Sequence, residues 1–435
     1  MSHPLASRVT GPVLTPDDEG FADEVAAHNR AVTHTPDVAV GASSTQDVVE
    51  TVRWAAEQGV PVAVLATGHG SVTPVTSGVL LTTDRLGGVT VDPATRVATI
   101  GAGSAWTDVV PVADAVGLAA IAGSSPHVGV VGYLLGGGIG PFVRSHGISS
   151  DRIESVTVVT GAGEVLEASA DQHPDLFWAL RGGKTGLGVV TQVRLGLVAM
   201  PELYAGALFF DTEHIEAALR GWLAWTAEAD PETTTSAAIV RFPPIDAVPP
   251  FLRGRTVLVL RVARPGDATT GERVAAPLRA LAPTVADTVG VLPVARAAEI
   301  HNDPTDPAPS WVRGTMLSGA DDDLATALLE VVGPGVQQPF VAAEVRHVAR
   351  PDGVDGSAVS GRGAAFTLSV VGLDPSQFAT TMPAAADRIA QAVRPWTAAE
   401  LNPNFAGTGA AVWDQATAER LDRVRRAYDP AGVLG

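Results

Sequence analysis

Apolar and polar positions alternate along the first two hundred residues with two different periods. Val48, Val49, Val52, Ala55 and Ala56 recur at helical spacing and predict a helix over 45–58, with Ser44 as its N-cap and Gly59 as its stop. Short apolar runs at 60–65, 78–83, 89–91 and 97–100 predict strands, separated by Gly- and Asp-Pro-containing turns. A second helix is expected over 104–116, capped by Ser104, and a hairpin over 155–160 and 164–168 across Gly161-Ala162-Gly163. A strand over 189–197 closes this region.

Beyond Met200-Pro201 the pattern changes. Strands are predicted at 203–210, 235–241, 256–262, 339–349 and 364–371, and helices at 214–228, 265–280, 321–332, 375–393 and 414–428. Strand pairs followed by helices imply an antiparallel sheet covered by helices on one face, a separate α+β unit. The expected division is residues 1–200 (core about 37–199), residues 201–398, and a segment 399–435 that returns to the first unit.

Composition narrows the function classes. A formal charge of −18 argues against a polyphosphate-tracking surface, and so against nucleic-acid binding. The absence of Cys excludes disulfide scaffolds, thiolate catalysis and Cys-ligated zinc. The long uncharged stretch 117–143 is broken by Ser124, Ser125, Pro126 and His127 and by six glycines between Val128 and Val143, so it is read as a buried glycine-rich segment and not a membrane span. The first residues show no basic head followed by an apolar run, so no signal peptide is read and a cytoplasmic location is expected.

Several familiar motifs fail on inspection. Gly101-Ala-Gly103 and Gly161-Ala-Gly163 lack the third glycine of a dinucleotide fingerprint. Arg181-Gly-Gly-Lys184-Thr185 resembles the end of a phosphate-binding loop but has Trp178 where glycine is required. No metal site is read: His301, Asn302, Asp303 and Asp306 fall in a Pro-rich loop and are taken as solvated turn residues. Asp321–Asp323 suit a helix N-terminus, where carboxylates oppose the macrodipole favourably.

Two segments stand apart. One is VAVLATGHGS, residues 62–71, a strand running into a tight loop with one histidine. The other is SPHVGVVGYLLGGGIG, residues 125–140. Both allow close backbone approach and offer successive amide N–H groups, which can hold a diphosphate without lysines. The alternative is that the glycines serve only tight turns.

Together with GISSD (147–151), HPDLFWALRGGKTGLGVVT (173–191) and the ending RRAYDP (425–430), these segments resemble the vanillyl-alcohol-oxidase type of flavin oxidoreductase, and within it the berberine-bridge-enzyme-like branch. The resemblance covers most of the chain. It implies a two-subdomain FAD-binding domain of the PCMH type followed by a substrate domain. It also implies FAD bound covalently through His69, with backbone amides of Thr67, Gly68, Gly70 and Ser71 on the pyrophosphate. Ser125, His127, Gly129, Gly132, Gly137, Gly138 and Gly140 would line the cofactor, Val190 would meet the adenine, and the pair Asn404-Phe405 would lie near the isoalloxazine. Ser125 stands where many relatives have a second, cysteinyl link, so one covalent bond at most is expected. Val128 falls at the position of the family's oxygen gate and implies access for dioxygen. Phe177, Trp178 and Leu180 are read as core.

On the substrate side, AAEVRHV (342–348) reads as a strand with Glu344 and Arg346 on one face and His347 on the other. That pair is either a cross-strand ion pair or the charged floor of a substrate site. Many relatives have a catalytic Tyr where this chain has Asn402. Tyr133, inside the glycine-rich segment, either approaches the flavin or packs. The expected function is oxidation of a C–OH, C–N or hydroquinone-type centre in a small secondary metabolite, with dioxygen as acceptor and Glu344, Arg346 and Tyr133 as catalytic candidates. A redox-neutral rearrangement on bound FAD, or metabolite binding without turnover, are the rival readings.

Overall fold

The computed structural model describes residues 3–350, 356–407 and 412–434. Its strands form three sheets. The first has the order Val13–Leu14, Val38–Gly41, Val79–Thr82, Val62–Leu65, with the last three strands parallel. The parallel pairing follows from the crossover helix Thr45–Gln58, which Ser44 caps by accepting from the Asp47 amide and Gly59 ends at φ 65°. The second sheet is antiparallel, in the order Val89–Asp92, Val97–Gly101, Val189–Gly196, Ile153–Val159, Val165–Ser169.

The third sheet draws all its strands from residues beyond 200. Seven of them run in the order Thr284–Asp287, Leu203–Phe210, Thr256–Pro265, Thr234–Arg241, Ala342–His347, Phe366–Gly372, Trp311–Leu317, all antiparallel. The short strand Gly290–Val291 adds to Leu203–Phe210. Helices Ile215–Thr226, Ala268–Arg279, Asp322–Val332 and Thr381–Ala392 bury their apolar stripes on one face, around Trp222, Phe210, Leu260, Val345 and Leu368. Period two then assigns the opposite face to Arg261, Ser236, Glu344 and Arg346.

The chain end packs back onto the first two sheets. Leu421 and Val424 of helix Gln415–Tyr428 join the core around Phe177 and Trp178, and Val62 donates to the Val433 carbonyl. A buried arginine ties the glycine-rich region to the third sheet: Arg144 donates to the carbonyls of Asp230, Thr233 and Ala349. No helix among the described residues is long and apolar enough to cross a membrane.

Two expectations need correction, and one strand had no expectation at all. Ser104 does not cap the second helix. That helix is Trp106–Asp114 with Ala105 at its N-cap, and the Ser104 hydroxyl accepts from the Gly88 amide, because the turn at 87–88 needed the partner more. The expected helix 375–393 splits into a short 3-10 turn, Pro375–Gln377, and helix Thr381–Ala392. Strand Trp311–Leu317 went unread because Arg313 and Gly314 interrupt its apolar pattern; Arg313 reaches Asp387 on a covering helix, and Gly314 leaves room for Phe405.

Candidate active site

The strand Val62–Leu65 delivers its loop, Thr67 to Ser71, to the edge of the glycine-rich segment. The Thr67 hydroxyl accepts from the Gly129 amide at 3.1 Å and joins the two expected halves of one cleft. The amides of Gly68, His69 and Gly70, and those of Gly138, Ile139 and Gly140, donate to no acceptor among the described residues. A Cβ at Gly70 or Gly132 would meet nothing within 4 Å, so both face open space. At Gly70 an orphaned amide lies beside open space, as an anionic diphosphate requires, whereas at Gly138 and Gly140 the side-chain direction is filled by Tyr133 and the Ala122 carbonyl.

The His69 ring stacks on His28 with centroids 3.5 Å apart, and its Nε2 is buried without a hydrogen-bond partner. Burial, then the neighbouring His28 and His127, push its pKa down to about 4. The imidazole is therefore neutral at physiological pH and keeps an unengaged nitrogen, the form that can act as a nucleophile. The loop is held from outside. His28 donates its amide to the Thr67 carbonyl, and Asn29 Nδ2 donates to the Ser71 carbonyl at 2.9 Å. Asn29 Oδ1 accepts from the amides of Ala31 and Ser310. Sequence reasoning missed His28 and Asn29, which lie in an irregular stretch with no motif.

In the glycine-rich segment, Ser125 and Val128 are half-buried, His127 is exposed and Gly129 is buried. Gly132 lies on the short helix Val130–Leu134, and Lys184 Nζ, the chain's single lysine, donates to its carbonyl. Tyr133 lies edge-on to Trp106 at 5.6 Å. Burial pushes its phenol up to about 12. A Cβ at Gly138 would sit 2.3 Å from Tyr133 Cε1, and one at Gly140 only 2.1 Å from the Ala122 carbonyl oxygen. These two glycines therefore close the backbone around the Tyr133 ring. This arrangement favours packing as the role of Tyr133. Gly137, at φ 99°, faces Val359. Asn404 Nδ2 donates to the Tyr133 carbonyl, and the Phe405 carbonyl accepts from Gly314, so this pair bridges the glycine-rich segment and the third sheet. Val190 is buried in the second sheet. The aromatic side chains Phe177 and Trp178, with Leu180, are core, as expected.

Glu344 and Arg346 lie together on the face of the third sheet opposite the covering helices, 3.1 Å apart and largely buried. Two further residues complete the cluster. Arg261 Nη1 is 3.2 Å from Glu344, and His301 Nε2 is 3.0 Å from Arg346 Nη2 and 3.4 Å from Glu344. This corrects the reading of His301 as a solvated turn residue: its side chain is only 6% exposed, while Asn302 and Asp306 are exposed. The Pro-rich loop turns back into the molecule at its first residue, which no local signal announces. Arg261 was legible as a charge inside the apolar strand TVLVLRVARP. Against the upward push of burial, Arg346, His301 and Arg261 hold the Glu344 carboxyl well below the usual range. Burial, then Arg346, pushes His301 below its ordinary value. The cluster abuts the cleft: Arg346 Nη1 donates to the Ile139 carbonyl.

Comparison with known proteins agrees with this geometry. Residues 36–169 match a family described as an FAD binding domain. The chain is 33% identical over 296 residues to the (R)-6-hydroxynicotine oxidase of Paenarthrobacter nicotinovorans, covering 67% of this chain and 63% of that protein. It is 33% identical over 186 residues to the FAD-dependent monooxygenase prx3 of Penicillium roqueforti, covering 41% of this chain and 36% of that protein. The chain thus spans less than two thirds of the length of these curated relatives. Among solved structures, 6-hydroxy-D-nicotine oxidase from Arthrobacter nicotinovorans superposes with a TM-score of 0.84 at 24% identity, over 100% of this chain and 98% of that one. Physcomitrella patens BBE-like 1 gives 0.85 at 18%, over 99% and 96%. The glucooligosaccharide oxidase of Acremonium strictum, described with a 6-S-cysteinyl, 8α-N1-histidyl FAD, gives 0.82 at 19%, over 99% and 97%.

Proposed function

We propose that the chain, which carries an FAD binding domain and has FAD as its cofactor, is a berberine-bridge-enzyme-like flavoprotein of the vanillyl-alcohol-oxidase type that oxidises a small organic molecule at a C–OH, C–N or hydroquinone-type centre and passes the electrons to dioxygen, forming peroxide. The observation that carries this reading is the neutral His69 imidazole, with Nε2 unengaged, at the rim of a cradle of free amides that opens toward the Glu344–Arg346 floor. Bound FAD would supply hydride acceptance and the electron path to oxygen. The amides of Gly68, His69 and Gly70 and of residues 138–140 would hold its diphosphate, and His69, with Nε2 unengaged, would bond it covalently; the Ser71 amide, expected to join them, is instead taken by the Gly68 carbonyl at 3.2 Å. We further propose residues 1–200 with 399–435 as the cofactor domain and 201–398 as the substrate domain.

The remaining steps belong to the floor. Glu344 stays ionised, and its two oxygens hold Arg261, His301 and Arg346 in place beneath the substrate. Burial and Arg346 favour the neutral imidazole of His301, which makes it the candidate proton acceptor beside the ionised carboxylate.

Acid precipitation tests the cofactor link. A yellow pellet is expected from the native protein and a colourless pellet from His69→Ala; FAD released into the supernatant by the native protein would overturn the histidyl bond. A peroxide-release screen across alcohols, amines and quinols tests the oxidase activity. Anaerobic turnover without bleaching of the flavin would overturn it in favour of redox-neutral chemistry.

A further inference from the structure

The floor of the substrate side is short of acceptors. Arg261, Ser236, Arg346 and Thr367 lie in one row across four adjacent strands, in direct register, with Glu344 in the next row. Two guanidinium groups face one carboxylate, so the buried cluster carries a net positive charge inside a chain of formal charge −18. The carboxylate is fully engaged, since each of its oxygens has a cationic partner. The donors are not. Arg346 Nε, Arg261 Nε and Ser236 Oγ are all buried with no hydrogen-bond partner, and so is His301 Nδ1. Arg346 is 6% exposed and Ser236 is 2% exposed. Orphaned buried donors of charged groups are costly, and native proteins leave few of them without a purpose. Ala238 lies beside Ser236 on the same face and opposite Glu344, so this part of the floor is lined by small side chains.

We infer that the substrate carries a carboxylate, which seats on Arg346, Arg261 and Ser236 beside the oxidisable centre. The inference rests on the oxidase reading of this cleft and specifies the class of molecule that enters it. The carboxylate supplies the two acceptor oxygens the row lacks and cancels its excess charge. A guanidinium pair that had already spent one carboxylate on Glu344 would hold it through charge-assisted hydrogen bonds. A cationic amine in the same place would meet a net positive floor.

The test uses the holoprotein and three probes of equal size: benzoate, benzamide and benzylamine, each followed by perturbation of the flavin absorbance and by the shift in melting temperature. Benzoate is expected to bind at least about tenfold more tightly than either neutral or cationic analogue. Arg346→Gln should abolish that preference, weakening benzoate far more than benzamide. Ser236→Ala, which keeps the fold with less risk, should weaken benzoate a few-fold and benzamide not at all. Equal binding of benzoate and benzamide, preference for benzylamine, no binding of any probe to flavin-loaded protein, or a benzoate affinity unmoved by Ser236→Ala and Arg346→Gln would each overturn the inference. A protein that takes up no flavin would instead overturn the oxidase reading itself, so the two failures are distinguishable.

Discussion

Gly138→Ala tests whether the glycine-rich segment is shaped around Tyr133. The new Cβ would sit 2.3 Å from Tyr133 Cε1, and the backbone there has φ 88°. The left-handed conformation costs an alanine about 1–2 kcal/mol. The overlap adds about 1–3 kcal/mol, provided the ring cannot move aside. It cannot do so freely: a Cβ at Gly123 would already lie 2.9 Å from its opposite edge, and Trp106 meets it edge-on. The single substitution should therefore destabilise by about 2–5 kcal/mol. In a Tyr133→Leu background only the backbone part remains, about 1–2 kcal/mol. Urea unfolding of all four proteins, with tryptophan fluorescence as the readout, yields the coupling energy. A favourable coupling of about 1–3 kcal/mol is expected. If the two costs simply add, the glycine is not there for the ring and the packing argument fails.

Other consequences are more local. Burial, then Arg144, pushes His347 down to about 3, so it is neutral in the fold and takes up a proton on unfolding. Its folded pKa lies below the unfolded one, so the stability it permits is full above about pH 6.5 and is lost as pH falls toward 3. Because its ring stacks on Phe366 at 4.8 Å, His347→Phe should keep the packing and flatten the acid limb of stability, by about 2 kcal/mol at pH 5; an unchanged melting curve at that pH would refute this. Asp47, 2% exposed, accepts from the amides of Thr10, Gly11 and Ser43 and from the Thr10 hydroxyl, so Asp47→Ala should cost about 3 kcal/mol in thermal or urea unfolding. Asn29→Ala removes the tie between the His69 loop and residue 310, and should lower the ratio of flavin to protein absorbance after purification. A full flavin load would show that the loop holds its shape without the clasp.

Continuous apolar runs marked the strands of the third sheet well. Leu203–Phe210 and Thr256–Pro265 lie where the apolar runs placed them, and Glu344 and Arg346 share a face because two residues always return to the same side of a strand. Local chemistry also located the cap at Ser44 and placed Asp321–Asp323 at a helix N-terminus, where Asp321 is the cap. The composition of residues 62–71 and 125–140 foretold an amide cradle, and the contact between Thr67 and Gly129 joins the two. What failed were positions whose environment comes from elsewhere in the chain. Ser104 was claimed by a distant turn, and Trp311–Leu317 owes its pairing to Phe366–Gly372.

The order of elements, the faces of the strands and the glycines that permit close backbone approach were all determined by neighbours within a few residues, because helix and strand periods and backbone sterics are local. The tertiary structure alone decided that His301, forty-three residues from Glu344, closes the charged floor, that His28 lies flat on His69, and that Gly138 yields its Cβ volume to a tyrosine. Burial and through-space charge set the protonation of those groups, and neither can be computed until the chain has brought its remote segments together.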